Sequence, residues 1–362
     1  MNTRSLMAAI LLTVGISSMQ QTLADEAPQQ RFSDAPAQLK LAQQLPRIAI
    51  HGNQFVKPDG SAFVFRGLAL ADPASLDERG QWNRSYFEKA KEWNANVVRI
   101  PVHPQAWRTK GEQAYLKYLD DAVRWSTELG LYVIIDWHTI GNMLNGVYHR
   151  ADYITSKEET FRFWYQIANR YKNNPTVALY ELYNEPTNAG GQMGKMLWSD
   201  YKQLMEDLIY MIRQIDDAAL PLVAGFDWGY DLTNVKDQPI AAARVAYVTH
   251  PYPQKRTSNW QEQWQQDWGY VAERYPVIAT EFGFMSADGV GAHVPVIGDE
   301  SYGKAIIEFF EQRGISWTPW VFDVRWTPAL LDDWNYTPSR QGLLFKAELE
   351  RLNKPQHDSA AP

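Results

Sequence analysis

The stretch Val177-Ala-Leu-Tyr-Glu-Leu-Tyr-Asn-Glu-Pro186 begins as the apolar run of a buried strand, yet it carries two glutamates. A buried, unpaired carboxylate is costly or shifts its pKa strongly, so both need a reason to be there. Residues two apart on a strand share a face, which predicts Glu181, Tyr183 and Glu185 on one side. Glu185 then sits at the C-terminal end of the strand and Glu181 about four residues deeper. Glu181 needs a cation or several donors, and Arg99 in Asn96-Val-Val-Arg-Ile-Pro-Val102 is the candidate.

Working outward, similar apolar runs recur at 63–69, 95–102, 131–136, 221–226, 245–251, 276–282 and 315–322. Helical patterns lie between most of them, at 85–93, 115–128, 157–171, 196–215, 259–274 and 302–313, with a last helix over 342–352. The connection at 231–243 is weak as a helix. Alternating strands and helices imply a parallel sheet, and eight such units favour a closed (β/α)8 TIM barrel. The rival is an open, doubly wound sheet. Its usual glycine-rich phosphate fingerprint is missing after the first strand, which reads Phe65-Arg-Gly-Leu-Ala-Leu-Ala-Asp72. Ahead of the barrel, residues 48–65 alternate around Pro58-Asp59-Gly60 and predict a short N-terminal β-hairpin.

Composition sets further bounds. The chain has 362 residues, 45% hydrophobic and 21% charged, which suits one large soluble domain. A net charge of −7 gives no electrostatic reason to bind nucleic acid or an anionic membrane. With no cysteine, disulfides, thiolate catalysis and cysteine-based zinc sites are excluded. Residues 1–24 carry Arg4, a short apolar run and Thr22-Leu23-Ala24, the pattern of a cleavable signal peptide. Residues 25–45 read as a polar lead-in and 46–354 as the catalytic barrel. The expected mature protein is secreted or periplasmic, monomeric and free of a stable membrane anchor.

In a (β/α)8 barrel the chemistry gathers at the C-terminal ends of the strands. Here those ends offer Arg99 and His103, then Asp136 and His138, Asn184 and Glu185, Asp227 and Trp228, His250 and Tyr252, Glu281, and finally Trp317, Trp320 and Asp323. Glutamates from the fourth and seventh strands, facing across one mouth, meet the needs of glycoside hydrolysis. One carboxylic acid protonates the leaving oxygen, while the other carboxylate attacks the anomeric carbon or positions a water. Asn184 is expected on the sugar 2-hydroxyl and His103 and His138 on other hydroxyls. His250 and Tyr252 are expected to set the charge of Glu281.

Glu181-Leu-Tyr-Asn-Glu-Pro186 together with Thr280-Glu-Phe-Gly283 resembles glycoside hydrolase family 5, the cellulase A family. Asp136-Trp-His138, Thr249-His-Pro-Tyr252 and Ser316-Trp-Thr-Pro-Trp320 extend the resemblance over about residues 48–350. It implies a metal-free, cofactor-free, retaining hydrolase with Glu185 as acid/base and Glu281 as nucleophile. It further implies Arg99, Asn184, His138, His250 and Tyr252 around the reacting sugar, above a tryptophan of the eighth strand. Trp320 is favoured for that platform over Trp317.

The expected substrate is a β-1,4-glucan of cellulose type, attacked within the chain. β-Mannan, β-1,3 or mixed-linkage glucan and other exopolysaccharides are the alternatives. Trp107, Trp228, Trp326 and Trp334 are expected to line an open groove as sugar platforms, about half of them packing under loops instead. Arg325, Asp332 and Asp333 on the long 323–336 segment are expected to meet a decorated glycan. No His-x-x-His spacing supports a metal site, and no Gly-x-Ser-x-Gly supports a serine hydrolase. A catalytically dead carbohydrate-binding barrel is the non-enzyme alternative, and it would lack one of the two glutamates.

Overall fold

The computed structural model describes residues 45–187, 193–257 and 259–354. The expected signal peptide and all of the lead-in but Leu45 lie outside them. Eight parallel strands form one sheet in chain order: β1 (Gly67–Ala69), β2 (Val97–Val102), β3 (Tyr132–Trp137), β4 (Val177–Glu181), β5 (Pro221–Ala224), β6 (Ala246–Thr249), β7 (Val277–Ala279) and β8 (Ser316–Trp317). The sheet closes on itself through a parallel bridge between Arg66 and Trp317. At the seam Trp317 N donates to Phe65 O at 2.8 Å and Phe322 N to Ala69 O at 2.8 Å. All eight expected strands are present, seven of them shorter than their apolar runs and β3 of equal length, displaced by one residue.

The helices follow the same logic: α1 (Pro73–Glu78), α2 (Arg84–Glu92), α3 (Pro104–Lys110), α4 (Glu112–Leu129), α5 (Lys157–Tyr171), α6 (Trp198–Ile215), α7 (Trp260–Asp267), α8 (Glu300–Glu311) and α9 (Arg340–Leu352). In α4, Tyr115, Leu116, Leu119, Ala122, Val123 and Ser126 make the buried stripe that a 3.6-residue period predicts. α5 matches the sequence reading at both ends. Its start is fixed by Ser156, an N-cap whose side chain accepts from Glu159 N. The short α1 and α3, each opened by a proline, were not legible as helices. The weak 231–243 connection contains only a 3₁₀ turn, Thr233–Lys236. The expected 259–274 helix divides at Trp268, whose φ of −155° is not helical; the next residue, Gly269, lies so close to Phe309 that a Cβ would come within 2.7 Å of its ring.

Strand alternation sorts the core into two layers. Val97, Ile134, Leu179, Leu222, Val248 and Ile278 fill the barrel interior. Val98, Val133, Ile135, Tyr180, Val223 and Tyr247 pack outward under the helices. One step further toward the C-terminal rim, the inward positions are Arg99, Asp136 and Glu181, all 0% exposed. Register pairs Asp136 with Glu181 directly. The interior is therefore apolar below and ionic above.

The N-terminal expectation needs extending. The hairpin flanking Pro58-Asp59-Gly60 forms, from Gln54–Val56 and Ala62–Phe63, but a third strand, Ala49–His51, pairs antiparallel to it. The turn that joins them holds Gly52 at φ +61°, and with a strand only three residues long on each side it carried little signal. Ile48, Phe55 and Phe65 of this region belong to the interior cluster, with Phe55 and Phe65 edge to face at 5.0 Å. A second, unforeseen sheet sits at the other end. Ile140–Asn142 pairs antiparallel to Val147–Tyr148 and parallel to Glu185–Pro186.

Candidate active site

Arg99 organises the polar layer. Its Nε donates to Glu181 Oε2 at 2.7 Å and its Nη2 to Glu181 Oε1 at 3.0 Å, a two-pronged pairing that makes Arg99, the candidate from sequence, the cation for Glu181. Nη1 donates to Glu281 Oε1 at 2.9 Å and Nη2 to Asn184 Oδ1 at 2.6 Å, while Asp136 Oδ2 lies 3.0 Å from Nη2. One guanidinium faces three carboxylates. Burial, opposed by Arg99 and reinforced by Glu181 and Glu281, pushes Asp136 well above the usual carboxylate range. Glu181 goes the other way: burial raises it, but Arg99 and His250 outweigh burial and hold it low.

Glu185 is placed by the small sheet, with its N donating to Thr139 O at 3.0 Å. The expectation that Tyr183 shares the face of Glu181 and Glu185 is not met. The regular strand stops at Glu181; Tyr183 turns outward onto Tyr201, at 6.1 Å between rings, and donates to Gly141 O. Asn184 takes the inward place instead. Its Nδ2 is buried and has no partner among the described residues.

Glu281 accepts from Arg99 on one oxygen and from the Tyr252 hydroxyl on the other, at 3.1 Å. Burial raises its pKa, with Arg99 and His250 opposing and Glu185 and Glu181 adding to the rise. His250 acts on the charge of Glu281, as expected from sequence, without bonding it; its Nδ1 lies 2.9 Å from Glu185 Oε1. Its Nε2 lies 2.9 Å from Thr280 Oγ1, and that hydroxyl donates to Glu181 Oε1 at 2.8 Å. Since Glu181 accepts, Thr280 must receive from His250, which puts a proton on Nε2 and leaves Nδ1 to share one with Glu185. Burial opposes a charge on His250, but Glu281 and the contacts with Glu181 and Glu185 prevail and push it up to about 9.

Glu185, His250 and Glu281 each offer an atom such that all three lie within 4.8 Å of one another. Both His250 nitrogens are already engaged, so ligating a metal there would break a bond to Glu185 or Thr280.

A cleft of about 1130 Å³ covers this centre. Its lining runs from Asp72, Glu78 and Lys110 past His103, His138, Trp320 and Glu281 to Trp228 and Lys255. His138 bonds Asp136 Oδ2 through Nδ1 at 2.6 Å and stacks on Trp320, rings 5.4 Å apart. Burial, then the charges of His103 and Arg99, hold it well below the ordinary histidine value and so neutral. His103 is anchored by Asp72, which also accepts from the Tyr115 hydroxyl at 2.7 Å. Trp320 stacks with Trp326 at 5.8 Å, while Trp317 is wholly buried and donates to Glu311.

His103, His138, Glu185, Trp228, Tyr252, Glu281, Trp320 and Trp326 thus line one cleft, while Arg99, Asn184 and His250 lie buried beneath it, Arg99 bonded to Glu281 and Asn184, and His250 to Glu185. Two expected platforms do not line it. Trp107 is 1% exposed, packed among Tyr115, Trp137 and Phe163, because α3 turns it inward. Trp334 packs on Tyr86 under the guanidinium of Arg79. Arg325 lines the cleft, but Asp332 does not, and Asp333 is spent on its own loop, accepting from Asn335 and Thr337. Sequence reasoning missed Tyr153, His149 and Lys255, which line the cleft from loops with no periodic signal.

A (β/α)8 barrel with a pair of glutamates at the ends of β4 and β7 is the construction of the barrel glycoside hydrolases. The chain belongs to the cellulase family, glycosyl hydrolase family 5, whose model matches residues 56–325. It is 28% identical to an endoglucanase A of Butyrivibrio fibrisolvens over 251 residues, 68% of this chain and 54% of that protein. It is 25% identical to endoglucanase E-5 of Thermobifida fusca over 76% of this chain and 55% of that one. The chain therefore spans about half the length of these two relatives. A β-glucanase of Saccharophagus degradans, solved in complex with cellotetraose, is 44% identical with a TM-score of 0.85, covering 86% of this chain and 95% of that one.

Proposed function

We propose that the protein is a retaining, endo-acting β-glucanase that cleaves β-1,4 bonds of glucan chains by double displacement. The observation that carries this is the closeness of the glutamates. An oxygen of Glu185 lies within 4.8 Å of one of Glu281. Retaining enzymes hold their carboxyls about 5–5.5 Å apart, whereas inverting ones leave about 6.5–9.5 Å for a water. Glu281 attacks the anomeric carbon, its two oxygens steadied by Arg99 and Tyr252. Glu185 gives its proton to the leaving oxygen as the glycosidic bond breaks. It then takes a proton from the water that displaces Glu281, with His250 at Nδ1 buffering its charge in both steps.

In this reading Trp320 lies beneath the reacting sugar with Trp326 beside it. The spare Nδ2 of Asn184 donates to the 2-hydroxyl, and His103 and His138 meet other hydroxyls. At about 1130 Å³ the cleft is larger than the about 300–1,000 Å³ of a small-ligand pocket, which supports binding of several sugars of a chain. The β-glucan assignment leans on the cellotetraose bound by the Saccharophagus relative.

Sugar release from carboxymethylcellulose, mixed-linkage glucan, laminarin, glucomannan, galactomannan and xylan tests the proposal, beside the Glu281→Ala variant. Activity on β-1,4-containing glucans that vanishes in the variant, with retained anomeric configuration by NMR, is expected. Preference for mannans, or inversion, would refute the assignment. Activity that survives in Glu281→Ala would refute the role of that residue. Export is proposed with it: residues 1–24 as a cleaved leader, checked by finding Asp25 at the mature N-terminus. Among the described residues no helix is long and apolar enough to cross a membrane.

A further inference from the structure

Glu281 and Trp320 both lie beyond the regular ends of their strands. The ladder between β7 and β8 stops at the pair Ala279 and Trp317, so strand pairing places neither residue. Past it, Thr318 Oγ1 donates to Thr280 O at 2.8 Å and Trp320 N to Phe282 O at 2.9 Å. Phe284 N and Trp320 O come next, both on buried residues, and buried peptide groups must find partners.

Their partner is Gln341, in the first turn of α9. Its side chain is buried; Oε1 accepts from Phe284 N at 2.8 Å, and Nε2 donates to Trp320 O at 3.0 Å and to Pro328 O at 2.6 Å. A side-chain amide thus stands where the peptide group of a further strand would, with both N–H donors used. The fit is close. A Cβ on Gly283 would come within 2.6 Å of Gln341 Oε1 and 3.0 Å of Trp320 O. The start of the helix is itself pinned, since the N-cap Ser339 accepts from Gly342 N at 3.1 Å and donates to Ala329 O at 2.7 Å.

The two ends of this amide reach different parts of the site. Its NH2 group joins Trp320 O to Pro328 O and so closes the base of the loop that carries both Trp320 and Trp326. Val321 N shares in that closure, donating to Pro328 O at 2.9 Å. The amide oxygen holds Phe284, three residues after Glu281. Gln341 lies outside the cleft lining and bonds neither glutamate. We infer that Gln341 is a positioning residue for the reaction, one amide that sets the segment of the nucleophile against the loop of sugar platforms. Glu281 then meets the anomeric carbon of a sugar seated on Trp320 without either having to move. The inference rests on the hydrolase reading above.

The test compares Gln341→Leu and Gln341→Glu with a control, Asn353→Leu. Asn353 also bridges two backbone carbonyls, Arg66 O at 3.1 Å and Asn94 O at 2.8 Å, but at the opposite rim, ahead of β1 and β2. Cellotetraose cleavage is measured well below the unfolding midpoint of each variant. Losing the Gln341 tie lowers kcat about tenfold or more, because a misplacement of about 1 Å can cost about a hundredfold in rate. KM stays within about threefold, since the platforms move together with their loop. Asn353→Leu loses stability and keeps kcat. In Gln341→Glu an ionised carboxylate faces two carbonyls, whereas the neutral acid can accept from Phe284 N and donate to one of them. Its kcat relative to wild type therefore rises as the pH falls from about 8 to about 5, while that of Gln341→Leu stays flat. A kcat within about threefold of wild type in both Gln341 variants overturns the inference, as does an equal loss of kcat in Asn353→Leu. Gln341 variants that fold at no pH in this range would make the amide a requirement of the fold alone, and overturn it too. A wild type inactive on cellotetraose would instead refute the β-glucanase reading, and this inference with it.

Discussion

Replacing Arg99 by methionine isolates what the ionic layer costs and what holds it. The guanidinium is 0% exposed and is the cation beside Asp136, Glu181 and Glu281. Methionine fills much of the volume but leaves three buried carboxyls without that partner. Breaking a buried ion pair from one side costs about 3–5 kcal/mol, because an uncompensated charge stays inside. Of a total stability of about 5–15 kcal/mol this is a large share. Arg99 lowers the pKa of all three carboxyls, so its removal raises each folded-state value. A carboxyl raised in the folded state destabilises it above the unfolded value of about 4 and stops doing so below, where both states are protonated. The deficit of Arg99→Met is therefore greatest at neutral and alkaline pH and shrinks as pH falls toward the unfolded carboxyl range. Urea unfolding followed by tryptophan fluorescence between pH 5 and pH 8 measures it. Arg99→Lys keeps the charge but loses the fork, and falls between the two. A deficit under about 1 kcal/mol, or one that widens as the pH drops, would refute the ionic account of this layer.

Two further outcomes separate packing from binding and titration from packing. Trp107→Ala is expected to lose about 3–5 kcal/mol of stability with little change in KM, whereas Trp326→Ala raises KM and leaves the unfolding midpoint nearly in place; the reverse pattern would mean that the burial of Trp107 has been misassigned. His250 is pushed up to about 9, so its charged form contributes stability that is complete below its unfolded value of about 6.5 and is lost as pH rises through about 9. The melting-temperature gap between wild type and His250→Gln should therefore be widest near pH 6 and close by pH 10. A constant gap would show that the ring matters for its shape alone.

What could be read from the sequence, and what could not, divides along the range of the interactions. Strands such as Tyr132–Trp137 announce themselves because a strand buried on both faces reads as a nearly continuous apolar run, broken here only by Asp136 at the rim. In a parallel barrel every such strand delivers its last residue to the same rim, so the ordering of strands alone brings Arg99, His138, Glu185 and Glu281 together. Signals failed where an element was too short to have a period. The 140–148 hairpin and its partner Glu185–Pro186 use two or three residues each, and nothing local marks them. About half of the four loop tryptophans pack away as expected, but that Trp107 is one of them was not legible, for a related reason. It follows a strand end as a cleft residue would, but Pro104 starts a helix there whose first turn carries it inward. Lys255 lay beyond sequence reasoning altogether, since its place in the cleft is set by Asp227 on the turn after a different strand.

Glu181 shows why a misfit in a sequence pattern can say more than a fit. An apolar residue would have completed the interior of β4 without any special partner. The glutamate instead obliges the fold to place Arg99 opposite it, and Arg99 then has donors to spare. One of them goes to Glu281 and another to Asn184, while Thr280 links Glu181 onward to His250 and so to Glu185. Both members of the carboxylate pair are thus held through a charge that touches neither the cleft nor solvent. Such a layer is poor value for stability, because well-packed apolar residues can replace buried ion pairs without loss. Its worth lies in fixing two carboxyls in place with different partners, Arg99 and Tyr252 on Glu281 and His250 on Glu185. Chemically identical side chains can take opposite roles only if their surroundings differ in this way.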